Sequence, residues 1–427
     1  MTDARTADQR IDPDSGLPIL AMPRDGLPVV VDTAEALSEC IRELGDGTGP
    51  LAIDTERAQS FHYSAKAYLL QFRRADAGTW LIDPEAFEPS PGADADFTAL
   101  REATSSAEWI IHAATQDLPC LVEDGLWPTS LFDTELAGRL LGLPRVGLGP
   151  LVEKYFGLHL LKEHSAADWS TRPLPQDWIA YAALDVELLV ELRDLLEEEL
   201  DKAGKLEWAH QEFDHLVEVY RTPAPPRVEP WRRTNGIHAV RSRRGLALVR
   251  ALWTHRDQLA LDLDKAPGKI VQDKAITELA ATITKDNHKV PGPREMDTVM
   301  GFHHRLAKRY REHWLEACHE VAGLPAADLP SLQVAHDGPP QPRSWQRSRP
   351  EAWKHWQQVR PAANALAAEL SMPPENLVSP DALRRLVWDP LPSVDAQAIS
   401  ERLAEHDVRP WQRTLLSPVL SAALRAE

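Results

Sequence analysis

Asp54 and Glu56 stand two positions apart at the end of the apolar run LAIDTE, residues 51–56. In a β-strand, side chains two residues apart point to the same face, so we expect these carboxylates to project side by side. Adjacent carboxylates repel each other and resist joint ionisation unless a cation lies between them. The pair therefore indicates a divalent metal site, while a strand that ends in a polar turn has the same pattern.

Two further acidic residues follow or lie within apolar stretches. The apolar run WIIHAA contains His112, and Asp117 comes five residues after this histidine. Asp185 lies in the apolar stretch AALDVELL, four residues after Tyr181, and this helical spacing places both side chains on one face. A charge on the inward face of a helix is costly unless it is paired or binds a metal. We therefore predict a functional Asp185, whereas Asp117 alone could be an acid in the first turns of a helix.

The segments around these residues predict an α/β domain over residues 28–220. Short apolar or β-branched runs typical of strands are PVVVD, PLAID, AYLLQF, TWLIDP and WIIHAA. Helical patterns lie between and after them, and the last one runs from Pro175 to Gly204, residue types that start and stop helices. Strands that come first in succession and then alternate with helices favour a mixed sheet.

The rest of the chain is predicted to be helical. Residues 221–234 and 323–344 are rich in proline and indicate linkers. Apolar residues at helical spacing cover 235–320 and 345–427, two units of similar length that favour degenerate copies of one module. The tryptophans of the last unit are expected to anchor a core rather than stack on bases. They are Trp345, Trp353, Trp356, Trp388 and Trp411.

Charge is unevenly distributed along the chain. The formal net charge of −18 argues against a simple electrostatic nucleic-acid binder, because phosphate binding depends on lysine and arginine. Residues 221–250, however, carry eight arginines and only one acid, Glu229. A locally basic element is compatible with a nucleic-acid partner, and a solvated linker with a helix face explains it equally well.

Length and composition are typical of a globular cytoplasmic protein. The 427 residues correspond to roughly three domains at about 150 residues each. Three widely spaced cysteines, Cys40, Cys120 and Cys318, form neither a disulfide framework nor a zinc site, so we expect buried thiols in a reducing compartment. Residues 1–27 are predicted to be a flexible segment, and they lack the apolar core of a secretion signal.

The combined spacing is more specific than its parts. An Asp-x-Glu, a middle Asp after a strand and a final Tyr-x-x-x-Asp resemble the DEDD exonuclease superfamily, in the subgroup named for its tyrosine. The stretches HAATQDL, FDTELAGRLLG and YAALDVELLVEL are similar to ribonuclease D, over residues 28–220. Residues 236–320 resemble the helical HRDC module, and 345–427 a more divergent copy. The resemblance implies a ribonuclease H-like mixed-sheet exonuclease domain followed by two all-α HRDC-type domains.

The same resemblance implies two divalent cations, Mg²⁺ or Mn²⁺, as cofactors. Asp54 would bridge both ions, Glu56 and Asp185 would complete the shell of the first, and Asp117 would hold the second. Hard oxygen ligands select such cations, and two of them can serve both the attacking hydroxide and the leaving oxygen of phosphodiester hydrolysis. Tyr181 would orient the attacking water by a hydrogen bond. It would not act as the base, because a phenol with a pKa of about 10 is a poor base at neutral pH.

Candidate substrate contacts lie in three parts of the chain. His112 could approach the terminal nucleotide, and a hydrogen-bonded structural histidine is an equally good interpretation. Lys162, His164 and Arg172 lie in the loop before the long helix and could neutralise phosphate. Arginines of the helical region are expected to bind phosphate, which gives affinity and salt dependence without sequence reading. They are Arg232, Arg233, Arg241, Arg243 and Arg244.

The favoured hypothesis is a 3′→5′ exoribonuclease that trims tRNA precursors or other structured RNA with a free 3′ end and releases nucleoside 5′-monophosphates. A DNA exonuclease on the same chemistry is the alternative, because the carboxylates alone do not distinguish RNA from DNA. A non-catalytic nucleic-acid scaffold is a third hypothesis, and the intact carboxylates and tyrosine argue against it.

Overall fold

The computed structural model describes residues 10–90, 92–93, 95–161, 164, 166–284, 287–332 and 338–426. We refer to residues 28–220 as the sheet domain, 235–320 as the middle helical unit and 345–427 as the C-terminal helical unit. The strands are β1 (Ile19–Leu20), β2 (Val30–Val31), β3 (Leu51–Arg57), β4 (Ala67–Arg74), β5 (Gly78–Ile82), β6 (Trp109–Ile111), β7 (Leu131–Asp133) and β8 (His159–Leu160).

Six of these strands form a mixed sheet in the order β2-β5-β4-β3-β6-β7. β4 is antiparallel to both β3 and β5, whereas β2 with β5, β3 with β6 and β6 with β7 pair in parallel. The first half of β3 and all of β4 and β6 are buried, because helices cover both faces of the sheet centre. The predicted strand runs all fall in this sheet.

The helices of the sheet domain are α1 (Ala34–Asp46), α2 (Thr98–Ala103), α3 (Leu118–Glu123), α4 (Thr134–Leu140), α5 (Leu148–Phe156), α6 (Gln176–Glu187), α7 (Leu189–Lys202) and α8 (Leu206–Tyr220). The long run predicted as one helix is two helices, α6 and α7, because Leu188 leaves the helical conformation at φ −112° and ψ 4°. Leu188 is buried against Leu20, Leu160 and Leu184. The break lets α6 lie across β3, β4 and β5 while α7 packs on β3 and β6.

The N-terminal segment is attached where it is described. Ile19 and Leu20 pair with His159 and Leu160, which join β1 and β8 in a small parallel sheet. Arg24 donates to the buried carboxylate of Glu187 over 2.6 Å. This strand pairing and the ion pair that the buried charge of Glu187 needs attach residues 10–27 to the sheet domain. The prediction of a flexible segment over residues 1–27 is therefore wrong for 10–27. Residues 1–9 lie outside the described ranges.

Twelve α-helices are described after the sheet domain, which confirms a mixed α/β domain followed by a helical region. Those of the middle helical unit and just beyond it are α9 (Arg243–Asp262), α10 (Pro267–Ile270), α11 (Asp273–Ala281), α12 (Pro293–Met296), α13 (Arg305–Arg309) and α14 (Arg311–Gly323). Those of the C-terminal helical unit are α15 (Trp345–Ser348), α16 (Pro350–Glu369), α17 (Pro374–Leu377), α18 (Pro380–Trp388), α19 (Ala396–Ala404) and α20 (Pro410–Arg425).

The C-terminal helical unit shares one hydrophobic core with the sheet domain. Trp208 of α8 stacks on Trp411 of α20 with 4.9 Å between ring centroids, and Arg409 pairs with the buried Glu212 at 2.9 Å. Lys205 donates to the carbonyls of Leu140 and Leu370 and so joins the two units. The middle helical unit has its own core, against which Tyr63 of the sheet domain packs.

Buried side chains confirm two expectations about composition. Trp345, Trp356 and Trp411 are buried and Trp353 and Trp388 are partly buried in the core that the sheet domain shares, so these tryptophans anchor packing. The three cysteines are free and buried.

We predict that Trp411→Ala lowers the free energy of unfolding by about 3–5 kcal/mol, because it removes a large buried ring and opens a cavity between the two units. Urea denaturation followed by circular dichroism measures the change. Lys354→Ala, on the exposed side of α16, is the control and should change stability by less than about 0.5 kcal/mol. Equal stabilities of the two variants would show that the interface contributes little.

Candidate active site

Three carboxylates meet between β3 and α6. Asp54 and Glu56 project from β3, and Asp185 projects from α6 toward them. One oxygen from each carboxylate lies within 4.8 Å of the other two. Glu56 is buried, whereas Asp54 and Asp185 are partly accessible to solvent. The strand alternation and the position of α6 therefore build a carboxylate cluster that is open on one side.

Asp117 faces this cluster from the start of α3. Its carboxylate accepts a hydrogen bond from the Thr55 hydroxyl at 2.7 Å and lies 3.7 Å from the Arg57 guanidinium. Arg57 also donates to the carbonyl of Gln116 at 2.6 Å, which fixes the turn before α3. The structure thus brings all four predicted carboxylates to one place, with Asp117 held slightly apart from the other three by its own partners.

The electrostatics of the cluster are unfavourable in the absence of a cation. Burial, followed by the charges of Asp117 and Asp185, raises the pKa of Asp54 well above its usual range. The pKa of Glu56 is raised for the same reasons. Burial raises the pKa of Asp117 to about 6 and that of Asp185 to about 7. An oxygen-only set of repelling carboxylates fits a hard divalent cation, which would remove this repulsion.

Tyr181 lies one helical turn before Asp185 on α6. Burial, followed by the nearby charges of Asp185 and Glu56, raises the pKa of its phenol above the ordinary value, so Tyr181 keeps its proton at neutral pH. The rings of Trp169 and His164 lie 6.2 and 5.8 Å from the Tyr181 ring, centroid to centroid. A neutral hydroxyl held in this way can position a water molecule but cannot act as a base.

Asp133 was not foreseen as a site residue, yet it positions Asp117. It is buried at the end of β7 and accepts from the backbone N–H groups of Ala113 and Ala114, at 3.1 and 2.9 Å, and from two more at the start of α4. Ala113 has φ 61°, in the left-handed region, so the turn needs such support. The signal in the sequence is the capping pattern Asp-Thr-Glu, in which an Asp precedes a helix.

Gln71 is a second residue that the sequence did not single out. It lies on β4 directly opposite Asp54, so both side chains point to the face that α6 covers. It is fully buried, and its amide nitrogen and oxygen have no hydrogen-bond partner within the described part of the chain. Buried amides normally have partners, so water or a ligand at the cluster fits this position.

The candidate contacts near the cluster have different environments. His112 accepts or donates a hydrogen bond with the Thr134 hydroxyl at 2.9 Å, and burial lowers its pKa to about 4, so it is neutral. His164 packs beside Tyr181 and lies 3.4 Å from the Asp177 carboxylate. Lys162 lies outside the described residues.

Arg172 has a role that differs from the predicted phosphate contact. Its guanidinium pairs with both carboxylate oxygens of Asp83, at 2.6 and 2.7 Å, and donates to the carbonyls of Tyr68 and Trp169. With its donors directed into the protein, Arg172 ties the loop before α6 to the sheet.

Three of the five predicted arginine contacts are also occupied within the protein. Arg232 pairs with Glu229 and lies over the Trp231 ring. Arg243 donates to the carbonyls that follow α14, and Arg244 donates to those at its C-terminal end. Arg244 satisfies carbonyls that the end of α14 leaves unpaired, and Arg243 fixes the segment that follows this helix, so both stabilise the middle helical unit. The other two, Arg233 and Arg241, are exposed.

The mixed sheet, the carboxylate cluster and its tyrosine define the class of 3′→5′ exonucleases. The family model described as 3′-5′ exonuclease matches residues 28–201, and the model described as 3′ to 5′ exonuclease C-terminal domain matches residues 338–424. The second match covers the unit that we expected to be a divergent HRDC copy.

A relative that matches most of the chain shows the family. Ribonuclease D of Acidiphilium cryptum is 31% identical over 360 residues, which cover 82% of this chain and 85% of the relative. The chain belongs to the ribonuclease D family and is an exonuclease.

Two solved structures share the fold of this chain. The crystal structure of a protein from Bifidobacterium adolescentis matches with a TM-score of 0.84 and 37% identity, over 96% of this chain and 100% of that one. The crystal structure of Escherichia coli RNase D, described as an exoribonuclease involved in structured RNA processing, matches with a TM-score of 0.64 and 22% identity. The match covers 88% of this chain and 99% of that one, and at this identity it supports the fold alone. Within the described residues, no helix combines the length and apolarity that a membrane span requires.

We predict that Asp54→Asn stabilises the metal-free protein by about 1–3 kcal/mol, because it removes a repelling buried charge at equal volume. Urea denaturation in EDTA measures this gain. Added Mg²⁺ should stabilise the wild type more than the variant, because the variant has lost a ligand.

The matched control is Asp201→Asn, which removes one charge from the exposed surface of α7. Its free energy of unfolding should stay within about 0.5 kcal/mol of the wild-type value, both in EDTA and with added Mg²⁺. A loss of stability in metal-free Asp54→Asn would contradict the view that the carboxylates repel each other.

Proposed function

We propose that this protein is a two-metal-ion 3′→5′ exoribonuclease that trims the 3′ ends of structured RNA, tRNA precursors among them, and releases nucleoside 5′-monophosphates. The observation that supports this most is the meeting of Asp54, Glu56 and Asp185 within 4.8 Å, with Asp117 and Tyr181 beside them. A relative named ribonuclease D over most of the chain favours RNA over DNA.

The four carboxylates would hold two divalent cations, Mg²⁺ or Mn²⁺. When bound, these ions supply the charge that activates water and stabilises the leaving oxygen of a phosphodiester. Asp54, Glu56 and Asp185 would hold the ions together with Asp117, whose carboxylate is oriented by the hydrogen bond from the Thr55 hydroxyl. The protonated Tyr181 would orient the attacking water, and His164 beside it would contact a phosphate of the substrate.

The middle helical unit would guide RNA toward the cluster. We propose units at 28–220, 235–320 and 345–427, with the first helical unit of the HRDC type. The loop that follows Glu56 contacts the end of α9: the Tyr63 hydroxyl lies 3.1 Å from Asp257, and His62 lies 2.6 Å from Asp264. The helix α9 has 20 residues and spans about 30 Å. The exposed arginines near its start, Arg233 and Arg241, are therefore far from this loop and would contact only a long RNA.

Asp185→Asn is expected to lower the rate of hydrolysis at least about 100-fold, because it removes a metal ligand and its charge from the reacting centre. Tyr181→Phe should slow the reaction by a similar factor and leave Mg²⁺ binding unchanged, since it loses only water positioning. A time course on a 3′-extended RNA and its DNA counterpart, with Mg²⁺, Mn²⁺ or EDTA, measures both.

A metal-dependent ladder that shortens from the 3′ end of the RNA, with mononucleotides as product, supports the proposal. Faster degradation of the DNA strand would assign the enzyme to DNA. A wild-type rate in Asp185→Asn would refute the assigned site.

Arg233→Ala combined with Arg241→Ala should weaken binding of a long RNA and leave cleavage of a short oligonucleotide unchanged. The slope of log affinity against log salt should fall by about 0.7 for each lost phosphate contact on a single strand. Fluorescence anisotropy at several salt concentrations measures it. Arg347→Ala, an exposed arginine in the C-terminal helical unit, is the control and should keep the wild-type slope; an unchanged slope in the double variant would remove these arginines from the RNA path.

A further inference from the structure

A second cluster of metal-ligating side chains lies in the middle helical unit, outside the carboxylate site. His255 projects from α9, and His313 and Glu316 project from α14. One ligand atom of each lies within 4.8 Å of the other two. The helices α9 and α14 pack directly against each other, so the three side chains start from rigid elements.

Hydrogen bonds fix the tautomer of both imidazoles. Nε2 of His313 lies 3.1 Å from the backbone carbonyl oxygen of His255, which can only accept. Nε2 of His255 lies 2.9 Å from a carboxylate oxygen of Glu320, which accepts when ionised. Each Nε2 must therefore carry the proton, and the neutral ring then has its lone pair on Nδ1. Metal-binding histidines are typically oriented by such N–H bonds to a carbonyl or a carboxylate.

The Nδ1 atom of His255, which carries the lone pair, is buried and accepts no hydrogen bond from any described residue. The two imidazole rings lie 4.6 Å apart, centroid to centroid, and are inclined by 61°. The Trp314 ring packs against His313 at 5.5 Å. A buried acceptor without a donor costs free energy, and a cation at this position would satisfy it.

We infer that His255, His313 and Glu316 bind a transition-metal cation of the Zn²⁺ class. Two imidazole nitrogens and one carboxylate oxygen are a donor set that Zn²⁺ accepts with a further water ligand. This set differs from the oxygen-only carboxylate site, because imidazole suits Zn²⁺ whereas carboxylates suit Mg²⁺ and Mn²⁺. The bound ion joins α9 to α14 and stabilises the middle helical unit. Glu320 orients His255 without contacting the ion.

Zn²⁺ titration of the full chain by calorimetry, in excess Mg²⁺ to occupy the carboxylate site, tests the inference without any RNA. One Zn²⁺ should bind, and it should raise the melting temperature. Glu316→Gln should weaken Zn²⁺ binding at least about tenfold, and Glu320→Gln should weaken it by about 10–100-fold. Both residues are exposed, so the variants should fold as the wild type does.

Glu312→Gln, on the exposed side of the same helix, and Asp185→Asn, in the carboxylate site, are controls that should keep wild-type Zn²⁺ affinity. Equal Zn²⁺ affinity in wild type and Glu316→Gln, or no Zn²⁺ binding in excess Mg²⁺, would overturn the inference. A loss of Zn²⁺ binding in Asp185→Asn would do so as well, because it would assign the ion to the other site. None of these outcomes depends on the proposed activity toward RNA.

Discussion

Mutual repulsion among the carboxylates on β3, α3 and α6 is the constraint that shapes the sheet domain. Four acids converge in a site with limited water, and the pKa of each is raised as a result. Such a cluster persists only if the surrounding structure is rigid enough to hold it. The same repelling charges that destabilise the fold in the absence of a cation would attract a divalent cation most strongly.

The structure holds the cluster with contacts on every element that enters it. Asp133 supports the left-handed turn that leads to Asp117, and Thr55 fixes the carboxylate of Asp117. The break at Leu188 lets α6 cross the sheet at its own angle, so that Asp185 reaches β3. Glu187, two residues after Asp185, pairs with Arg24 and Arg73 and fixes the end of α6. The geometry of the carboxylate cluster here depends on residues outside the cluster itself.

Local periodicity was enough to predict which acidic side chains share a face, the family resemblance was needed to assign their chemistry, and neither predicted the tertiary partners. The spacing of Asp54 and Glu56 on a strand, and of Tyr181 and Asp185 on a helix, determines which side chains share a face, so these residues were foreseen. The roles of Arg172, Arg243 and Arg244 were not, because an arginine in a loop or at a helix start gives no indication of whether carbonyls or carboxylates will lie nearby after folding. The helix break at Leu188 was missed for a related reason: Leu188 is buried in a cluster that includes Leu20, which is far away in the sequence.

The core that the C-terminal helical unit shares with the sheet domain has a consequence for biosynthesis. Until Trp411 and its neighbours on α16 and α20 have left the ribosome, the apolar surface of α8 that they cover is exposed to solvent. A nascent chain stopped at the linker before residue 345 carries this surface, and exposed apolar surface promotes aggregation. The stability of the sheet domain is thus coupled to the synthesis of α16 and α20, far downstream of the carboxylate cluster in the sequence.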